Sequence, residues 1–272
     1  MKPLTQRVWA SVWSIVVCGA WLAAAGVARG EGAGPCVASN ARPYDAKGKL
    51  RLVIGTGNSG GVFFPYGGGI ARIISDQLPN TEMTAEVTGG SVDNLKLLAK
   101  KKTDLALSTV DSAYDAASGG GAYQDVGKVP VCALAVLYES FVHIVALEGS
   151  GIKDVAGMKG KRISLGSPGS STEVLAMRVL AAAGLDGKKD LSPQYLSVSE
   201  ATSAMKDGKI DAFFWIGGMP TAAVTDLITT PNIKVKFLDG GKSVDQLKEK
   251  NGSVYVPLTL RSEEHTSELQ SH

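Results

Sequence analysis

The glycine-rich run 54–71, which reads IGTGNSGGVFFPYGGGIA, constrains the fold of this chain more than any other segment. It follows the strand-like stretch 49–54 directly, contains seven glycines and has no charged residue. Backbone this rich in glycine leaves N–H groups uncovered and lets a ligand approach closely. Because the run lies between a strand and a helix, it predicts a cradle for a small anion at a helix N-terminus.

Strand-like and helix-like segments alternate along the rest of the chain. The predicted strands are 50–54, 83–88, 104–108, 131–138, 141–147, 162–166, 194–198, 211–215, 233–238 and 254–258. The predicted helices are 67–78, 91–101, 110–117, 171–183, 199–207 and 220–229. Such alternation predicts an α/β fold with largely parallel sheets. No internal repeat of fixed period is visible in the sequence.

Five junctions share one pattern, in which a strand runs into a short loop of small polar residues and then into a helix. They are the glycine-rich run and the loops near residues 88–91, 108–109, 166–171 and 217–220. In open α/β sheets a ligand lies beyond the carboxyl ends of the strands, where helix N-termini supply N–H donors and a positive dipole end. We therefore expect these loops to face one crevice.

Capping residues support two of these helix starts. Ser170 with Glu173 three residues later forms a capping box, and Gly184 suits the far end of the same helix. Ser91 is expected to cap the helix that follows it, with Asn94 at the third position of that helix. Small polar residues at such places can also be caps and nothing more, so each needs a structural test.

The two ends of the chain are set apart from the fold. Residues 1–28 combine a short basic start, an apolar stretch and small residues at its end, which predicts a cleaved export signal rather than a membrane anchor. Residues 29–48 are linker-like. Residues 261–272 resemble the translated read-through of a sequencing-library adapter, so we assign no function to His265 or His272 and expect the natural chain to continue past Leu260.

Composition excludes some classes of protein. With 44% hydrophobic residues, 20% charged residues and a net charge of +2, the chain has an ordinary globular profile that does not favour nucleic-acid binding. No Cys or His spacing typical of a metal site is present, and no cofactor is expected. Cys36 and Cys132 either form a disulfide in an oxidising compartment or remain separate, with Cys132 as a small buried side chain.

Two enzymatic motifs overlap the glycine-rich run. Residues 55–60 fit the dinucleotide fingerprint G-x-G-x-x-G, with Glu86 at the end of the next strand, but Pro65 and the following glycines are expected to interrupt the helix that should start at once. Residues 57–61 fit the nucleophile elbow G-x-S-x-G around Ser59. A hydrolase would recruit Asp111 and His143, although His143 lies in a strand pattern typical of a sheet residue.

Four segments together resemble the TAXI family, the extracytoplasmic solute receptors of one class of TRAP transporters. They read IGTGNSGGVFFPYGGGIA, TGGSVDNLKLL, DLALSTVDSAYDA and GKRISLGSPGSSTEVLAMRVLAAAGL, and the resemblance extends from about Leu50 to Leu260. It implies a two-lobe type II periplasmic-binding-protein fold with a central ligand cleft. Lobe 1 would span 49–140 and lobe 2 would span 141–238, with a truncated return to lobe 1 over 239–260.

The resemblance also implies a function. It predicts a periplasmic, non-enzymatic and monomeric receptor for a small carboxylate, glutamate-like or a dicarboxylate, which it delivers to a TRAP-type permease driven by an ion gradient. An exported hydrolase with Ser59 as nucleophile and a sensor-type binding protein are the alternatives.

The ligand-binding residues are expected in the loops that carry the resemblance, together with an aromatic wall. They are Thr56, Asn58, Ser59, Tyr66, Ser91, Asn94, Ser108, Asp111, Ser167, Ser170, Ser171, Thr172 and Trp215. No arginine falls at the carboxyl end of a predicted strand, so main-chain N–H groups and Ser, Thr and Asn side chains are expected to hold the anion. Asp111 or Glu139 is the expected partner of a ligand ammonium group.

Overall fold

The computed structural model describes residues 48–257. Two sheets divide this part of the chain, and the predicted α/β class is confirmed. We call residues 48–140, with the first sheet, lobe 1, and residues 141–257, with the second sheet, lobe 2. The predicted signal, the predicted linker up to residue 47 and the predicted non-native tail lie outside the described residues.

Lobe 1 is built on a parallel three-stranded sheet of order β2-β1-β3. Its elements are β1 Leu50–Gly55, α1 Phe63–Gln77, β2 Thr81–Glu86, α2 Ser91–Ala99, β3 Leu105–Ala106 and α3 Val110–Ser118. The central strand ends in Ile54, which pairs with Ala85 on one side and Leu105 on the other. One apolar cluster around Ile54 packs under α1, and a second around Val92 and Leu95 packs between α2 and α3.

Lobe 2 repeats this topology within a five-stranded sheet of order β6-β5-β7-β4-β8. Its elements are β4 Phe141–Leu147, β5 Arg162–Ser164, α4 Ser171–Ala182, β6 Ser192–Gln194, α5 Val198–Lys206, β7 Ala212–Gly217, α6 Ala222–Thr229, β8 Val235–Phe237 and α7 Val244–Asn251. The order β6-β5-β7 is parallel, like β2-β1-β3, whereas β4 runs antiparallel to β7 and β8. Apolar clusters cover both faces of this sheet.

Four predictions of secondary structure were wrong. One is the strand at 194–198: β6 covers Ser192–Gln194, and residues 195–197 form no strand. The first helix begins at Phe63 rather than Gly67, because Pro65 lies in its first turn, where a missing N–H breaks no helical hydrogen bond. Residues 131–138 form no strand, and their apolar side chains, such as Leu134 and Val136, are exposed. Residues 254–257 form no strand either. Helix α7 was not predicted.

Helix α7, in the segment predicted to return to lobe 1, contacts lobe 2. It packs against α4, and its Leu247 belongs to the lobe 2 core, while the predicted return over 239–260 stays a prediction. Beyond α7, the Tyr255 hydroxyl donates to Asp111 in α3 at 3.0 Å and accepts from Arg178 in α4 at 2.7 Å. Arg178 also pairs with Asp115 of α3. These contacts join the two lobes along one side.

Cys132 is disulfide-bonded, and Cys36, the partner considered for it, lies outside the described residues. The alternative of a buried, unpaired Cys132 is therefore wrong. No helix among the described residues has the length and apolar character needed to cross a membrane.

Candidate functional site

A cleft of about 440 Å³, including its open mouth, lies between the two lobes. The loops after β1, β2 and β3 line it from lobe 1, and the end of β7 and the loop after β5 line it from lobe 2. Tyr138 and Ser140, in the segment that crosses between the lobes, complete the lining. The five strand–loop–helix junctions of the sequence therefore each contribute to one crevice.

The N-termini of α2 and α4 meet across this cleft. The Ser91 and Ser171 hydroxyls, each in the first residue of its helix, lie 3.4 Å apart. Next to them, the Asp93 N–H donates to the Gly169 carbonyl across the lobes at 3.0 Å. Because the first-turn N–H groups of a helix have no partners within the helix, both ends offer donors to a ligand between them.

A side-chain hydrogen bond ties the glycine-rich run to the opposite lobe. The Asn58 amide donates to the Ser167 hydroxyl at 2.8 Å, and both residues line the cleft. An amide and a hydroxyl can exchange this bond for bonds to a ligand oxygen, since each has donors in reach of the cleft.

The predicted cap of α4 is present, with one difference. Ser170 is the N-cap, and its hydroxyl accepts from the Glu173 N–H at 3.1 Å. The Glu173 carboxylate accepts from the Gly169 N–H at 3.1 Å rather than from Ser170, so the reciprocal bond of a capping box falls one residue earlier. Gly184 follows the helix with φ of 76°, as expected for a helix end.

The remaining wall of the cleft is apolar and aromatic. Phe63, Tyr138 and Trp215 line it together with Val62 and Ile216. The Trp215 indole donates to Thr221 at 3.0 Å, which fixes the ring against the cleft. Tyr138 packs edge-on against Phe63, with ring centroids 6.4 Å apart.

Tyr138 brings an uncommitted polar group to this wall. Its hydroxyl oxygen is buried and makes no hydrogen bond of good geometry within residues 48–257. Burial raises the pKa of Tyr138, with the Ser140 side chain acting in the opposite direction. The hydroxyl therefore stays protonated at neutral pH and remains a donor.

The structure divides the predicted binding residues into two groups. Those at the cleft are Asn58, Ser91, Ser167, Ser170, Ser171, Thr172 and Trp215. Those whose side chains are engaged elsewhere or point away are Thr56, Ser59, Tyr66, Asn94, Ser108 and Asp111. The roles of the first group as ligand contacts remain a prediction.

Two residues of the second group hold the frame beneath the cleft. Thr56 is fully buried, and both its N–H and its hydroxyl donate to the Glu86 carbonyl. The fully buried Asn94 amide donates to the Thr56 carbonyl at 2.6 Å and the Leu107 carbonyl at 2.8 Å, and its oxygen accepts from Thr88 at 2.6 Å. The expectation that Asn94 contacts a ligand is not supported, because these bonds already engage both its oxygen and its nitrogen.

Polar residues near the start of α3 are also committed elsewhere. The Ser108 hydroxyl donates to the Thr109 carbonyl at 3.0 Å. Asp111 is buried and accepts from Tyr255 and from the Ser112 N–H.

The prediction that Ser91 caps α2 was wrong. Gly90 is the N-cap of α2, and the Ser91 hydroxyl accepts from the Thr109 N–H at 3.1 Å.

The remaining two residues lie on the outer surface. Ser59 is exposed in a turn, and Tyr66 is 44% exposed and packs against Tyr138 from outside the cleft. His143, the histidine considered for a Ser59 triad, is 2% exposed within β4 and packs edge-on against Phe237. Ser59 therefore lies in an exposed turn, whereas His143 lies in a buried strand.

Sequence reasoning missed the contributions of Thr109, Tyr138 and Ser140 to the cleft. Thr109 was visible as part of a loop at a strand end. Tyr138 and Ser140 carried no such signal, because the segment before them resembles a strand and its path across the lobes depends on long-range contacts.

None of the eighteen residues that line the cleft, all within residues 48–257, is charged. In the same part of the chain, no cluster of His, Cys, Asp or Glu side chains is placed to hold a metal ion. The chemistry of the cleft is therefore that of main-chain N–H groups, hydroxyls, one amide and aromatic rings.

Two sheets with repeated strand order and a cleft between their carboxyl ends define the two-lobe type II periplasmic-binding-protein fold. The chain belongs to the NMT1-like family, whose model matches residues 54–264. A candidate aliphatic sulfonates-binding protein of Escherichia coli (strain K12) is 39% identical over 70 residues, which are 26% of this chain and 21% of that protein.

Two solved structures are similar to this chain. A binding protein component of an ABC phosphonate transporter from Pseudomonas aeruginosa superposes with a TM-score of 0.50 at 15% identity, covering 70% of this chain and 65% of that one. The alkanesulfonate-binding protein SsuA from Xanthomonas axonopodis pv. citri, bound to MOPS, has a TM-score of 0.46 at 25% identity, covering 70% and 60% of the two chains. The chain thus spans about a fifth of the curated relative and three fifths of the SsuA structure.

Proposed function

We propose that this protein is an extracytoplasmic receptor, not an enzyme, that binds a small organic anion in the cleft between its lobes. The observation that carries the proposal is the meeting of helix N-termini from both lobes around an uncharged cleft. The N-termini of α1, α2 and α3 reach it from lobe 1, and that of α4 reaches it from lobe 2. Oriented N–H groups and helix dipoles at such ends favour an anion without a cationic side chain.

Binding works through contacts that only the two lobes together can supply. An oxyanion between α2 and α4 would accept from first-turn N–H groups and from Ser91, Ser170 or Ser171. The Asn58–Ser167 pair would close over it, and Trp215, Phe63 and Tyr138 would cover its carbon skeleton. Because these contacts lie in a cleft that excludes much of the solvent, each hydrogen bond there is stronger than in water.

A carboxylate is the ligand group that the resemblance of the sequence implies. The relatives reported above are described as sulfonate and phosphonate binders, and other similar structures as arginine-binding proteins. Carboxylate, sulfonate and phosphonate groups all present oxygens to N–H and O–H donors, so the shared chemistry is an oxyanion on a small organic body. We propose a carboxylate as the anionic group, with a sulfonate as the comparison.

Calorimetry with the mature protein tests this proposal. Carboxylates and sulfonates of two to eight carbons are titrated beside neutral amides and alcohols of the same skeletons. We expect saturable binding of at least one anion and none of its neutral counterpart. Failure of every anion to bind, or preference for the neutral compounds, would refute the anion receptor.

We further propose a periplasmic location and delivery to a TRAP-type permease, as the resemblance implies. The measurement is uptake of the bound ligand into membrane vesicles that contain the cognate permease, with and without an ion gradient. Uptake that needs the gradient and the receptor but not ATP supports a TRAP partner. Uptake that needs ATP points to an ABC permease, and the absence of any uptake favours the sensor alternative.

A further inference from the structure

Among residues 48–257, no charged side chain lines the cleft to neutralise a second charge on a ligand. None of the lining residues within the described chain is acidic or basic. A charged group that leaves water for such a site without a partner loses more hydration energy than neutral dipoles return, unless several oriented donors or acceptors converge on it. Converging helix N-termini provide that environment for one anionic group.

Acidic side chains already occupy the first turns of three of these helices. Asp93 in α2, Asp111 in α3 and Glu173 in α4 each lie where they offset part of the positive helix end. The nearby cation, Arg178, is paired with Asp115 and Tyr255. A second negative charge on the ligand would therefore find no free cation in this group of residues.

The same carboxylates are not placed to receive an ammonium group. Asp111 binds Tyr255 and the Ser112 N–H, and Glu139 is exposed, and neither lines the cleft. Asp93 and Glu173 accept from the Gly89 and Gly169 N–H groups and stand outside the lining as well. The partners that the sequence suggested for an amino-acid ligand therefore face elsewhere.

The Tyr138 hydroxyl supplies an independent sign of the ligand. It is buried at the cleft wall without a well-formed hydrogen bond among residues 48–257. A buried hydroxyl whose only neighbouring partner, Ser140, makes no well-formed hydrogen bond with it is costly, and an anionic oxygen in the cleft would satisfy it.

From these observations we infer that the cleft selects an organic ligand with one negative charge and no ammonium group, and that Tyr138 donates to its anionic group. The inference rests on the proposed anion-binding function. It narrows that function by excluding glutamate-like ligands and dicarboxylates.

Two matched ligand series test the inference by calorimetry on the mature protein. The aliphatic series is butanoate, 4-aminobutanoate and glutarate, and the aromatic series is 3-phenylpropanoate, phenylalanine and benzylsuccinate. Within each series the skeleton is similar, while an ammonium or a second carboxylate is added. In the series that binds, we expect the monoanion to bind at least about tenfold more tightly than both others.

Two variants test the role of Tyr138. Tyr138→Phe should weaken the binding of the preferred monoanion about tenfold, since it removes one hydrogen bond to a charged group. Tyr66→Phe, in the neighbouring ring outside the cleft, should leave the affinity unchanged. Equal affinity of Tyr138→Phe and the unmodified protein would overturn the assignment of Tyr138.

The outcomes distinguish a failure of this inference from a failure of the proposed anion-binding function. Tighter binding of 4-aminobutanoate, glutarate, phenylalanine or benzylsuccinate than of the matched monoanion would overturn the inference and leave the anion receptor standing. If no member of either series binds and the wider panel of anions also fails, the proposed function is refuted and the inference falls with it.

Discussion

Asn94 shows how one side chain organises the floor of the cleft. Its buried amide joins the chain after β1, β2 and β3 through Thr56, Thr88 and Leu107. Gly55 leaves room for it, because a Cβ there would lie 2.7 Å from the Asn94 side-chain oxygen. The loops that line lobe 1 of the cleft thus depend on a residue that does not itself face the cleft.

Replacement of Asn94 by Asp should destabilise lobe 1. The carboxylate would offer an acceptor to two carbonyl oxygens and would leave both of them without a donor in a buried place. We expect a loss of about 3 kcal/mol in the free energy of unfolding, measured by urea denaturation. Asp93→Asn, one residue earlier and partly exposed, is the control. A loss of less than 1 kcal/mol for Asn94→Asp would mean that the loops hold their positions without this amide.

Asn58 belongs to the cleft itself, so its replacement should affect binding more than stability. Asn58→Ala removes the bond to Ser167 and one donor to the ligand, and we expect about tenfold weaker anion binding with a nearly unchanged unfolding midpoint. Ser59→Ala, at the exposed neighbouring position, should bind as the unmodified protein does. The affinities of both variants for the same ligand are measured by isothermal titration calorimetry. Equal affinities of Asn58→Ala and Ser59→Ala would mean that the anion does not bind at Asn58.

At the scale of elements, an ion pair fixes the junction of β5 and β7 in lobe 2. Arg162, the first residue of β5, donates through two side-chain nitrogens to both carboxylate oxygens of Asp211 at 3.1 and 2.6 Å. Its main-chain N–H adds a third bond at 2.8 Å. The side-chain bonds from Arg162 are the main cause that lowers the pKa of Asp211, against the opposing effect of burial.

This pair should make stability depend on pH in the acid range. Because the folded pKa of Asp211 lies below its unfolded value, about 3.9, the stabilisation is complete above that value and is lost as the pH falls through the folded pKa. Asp211→Asn should remove this part of the acid dependence when unfolding by urea is followed from pH 5 to pH 2.5. Asp207→Asn, in an exposed pair with Lys209, is the control. An identical acid dependence in Asp211→Asn and the unmodified protein would contradict the assignment.

At the scale of the whole molecule, glycines let the two lobes approach. A Cβ added at Gly89 would overlap the Pro168 carbonyl oxygen of the other lobe. A Cβ added at Gly90 would lie 3.4 Å from Ser170. The glycine-rich run makes a similar approach, because a Cβ at Gly60 would overlap the Ser199 hydroxyl. The interlobe bonds at Asp93 and Asn58 depend on this close contact.

Gly89→Ala should therefore hold the lobes apart and weaken ligand binding at least about tenfold, because contacts from both sides would no longer reach one ligand. Small-angle X-ray scattering should show a larger radius of gyration with saturating ligand. Gly68→Ala is the matched control: a Cβ there meets nothing within 4 Å, and the change should stabilise α1 by about 0.5–1 kcal/mol. Normal affinity in Gly89→Ala would show that the cleft does not need this approach.

Local sequence predicted the elements that depend on local chemistry. The cap at Ser170, the helix end at Gly184 and most strands and helices follow from side-chain hydrogen bonds, backbone preferences and apolar patterns within a few residues. The failure at 131–138 has a physical reason as well. Its residues favour a strand, but a strand forms only with a partner, and no other strand among residues 48–257 pairs with it.

What the sequence by itself determined is the α/β class, the junctions that meet at the cleft and the lack of an arginine at them, because each depends on short-range pattern and residue type. The tertiary structure alone decided the repeated strand order of the two lobes, the commitment of Asn94 and Asp111 to internal bonds, and the place of Tyr138 at the cleft wall. These features depend on contacts between residues far apart in the chain, where small changes in direction decide whether a polar side chain meets the protein or the ligand.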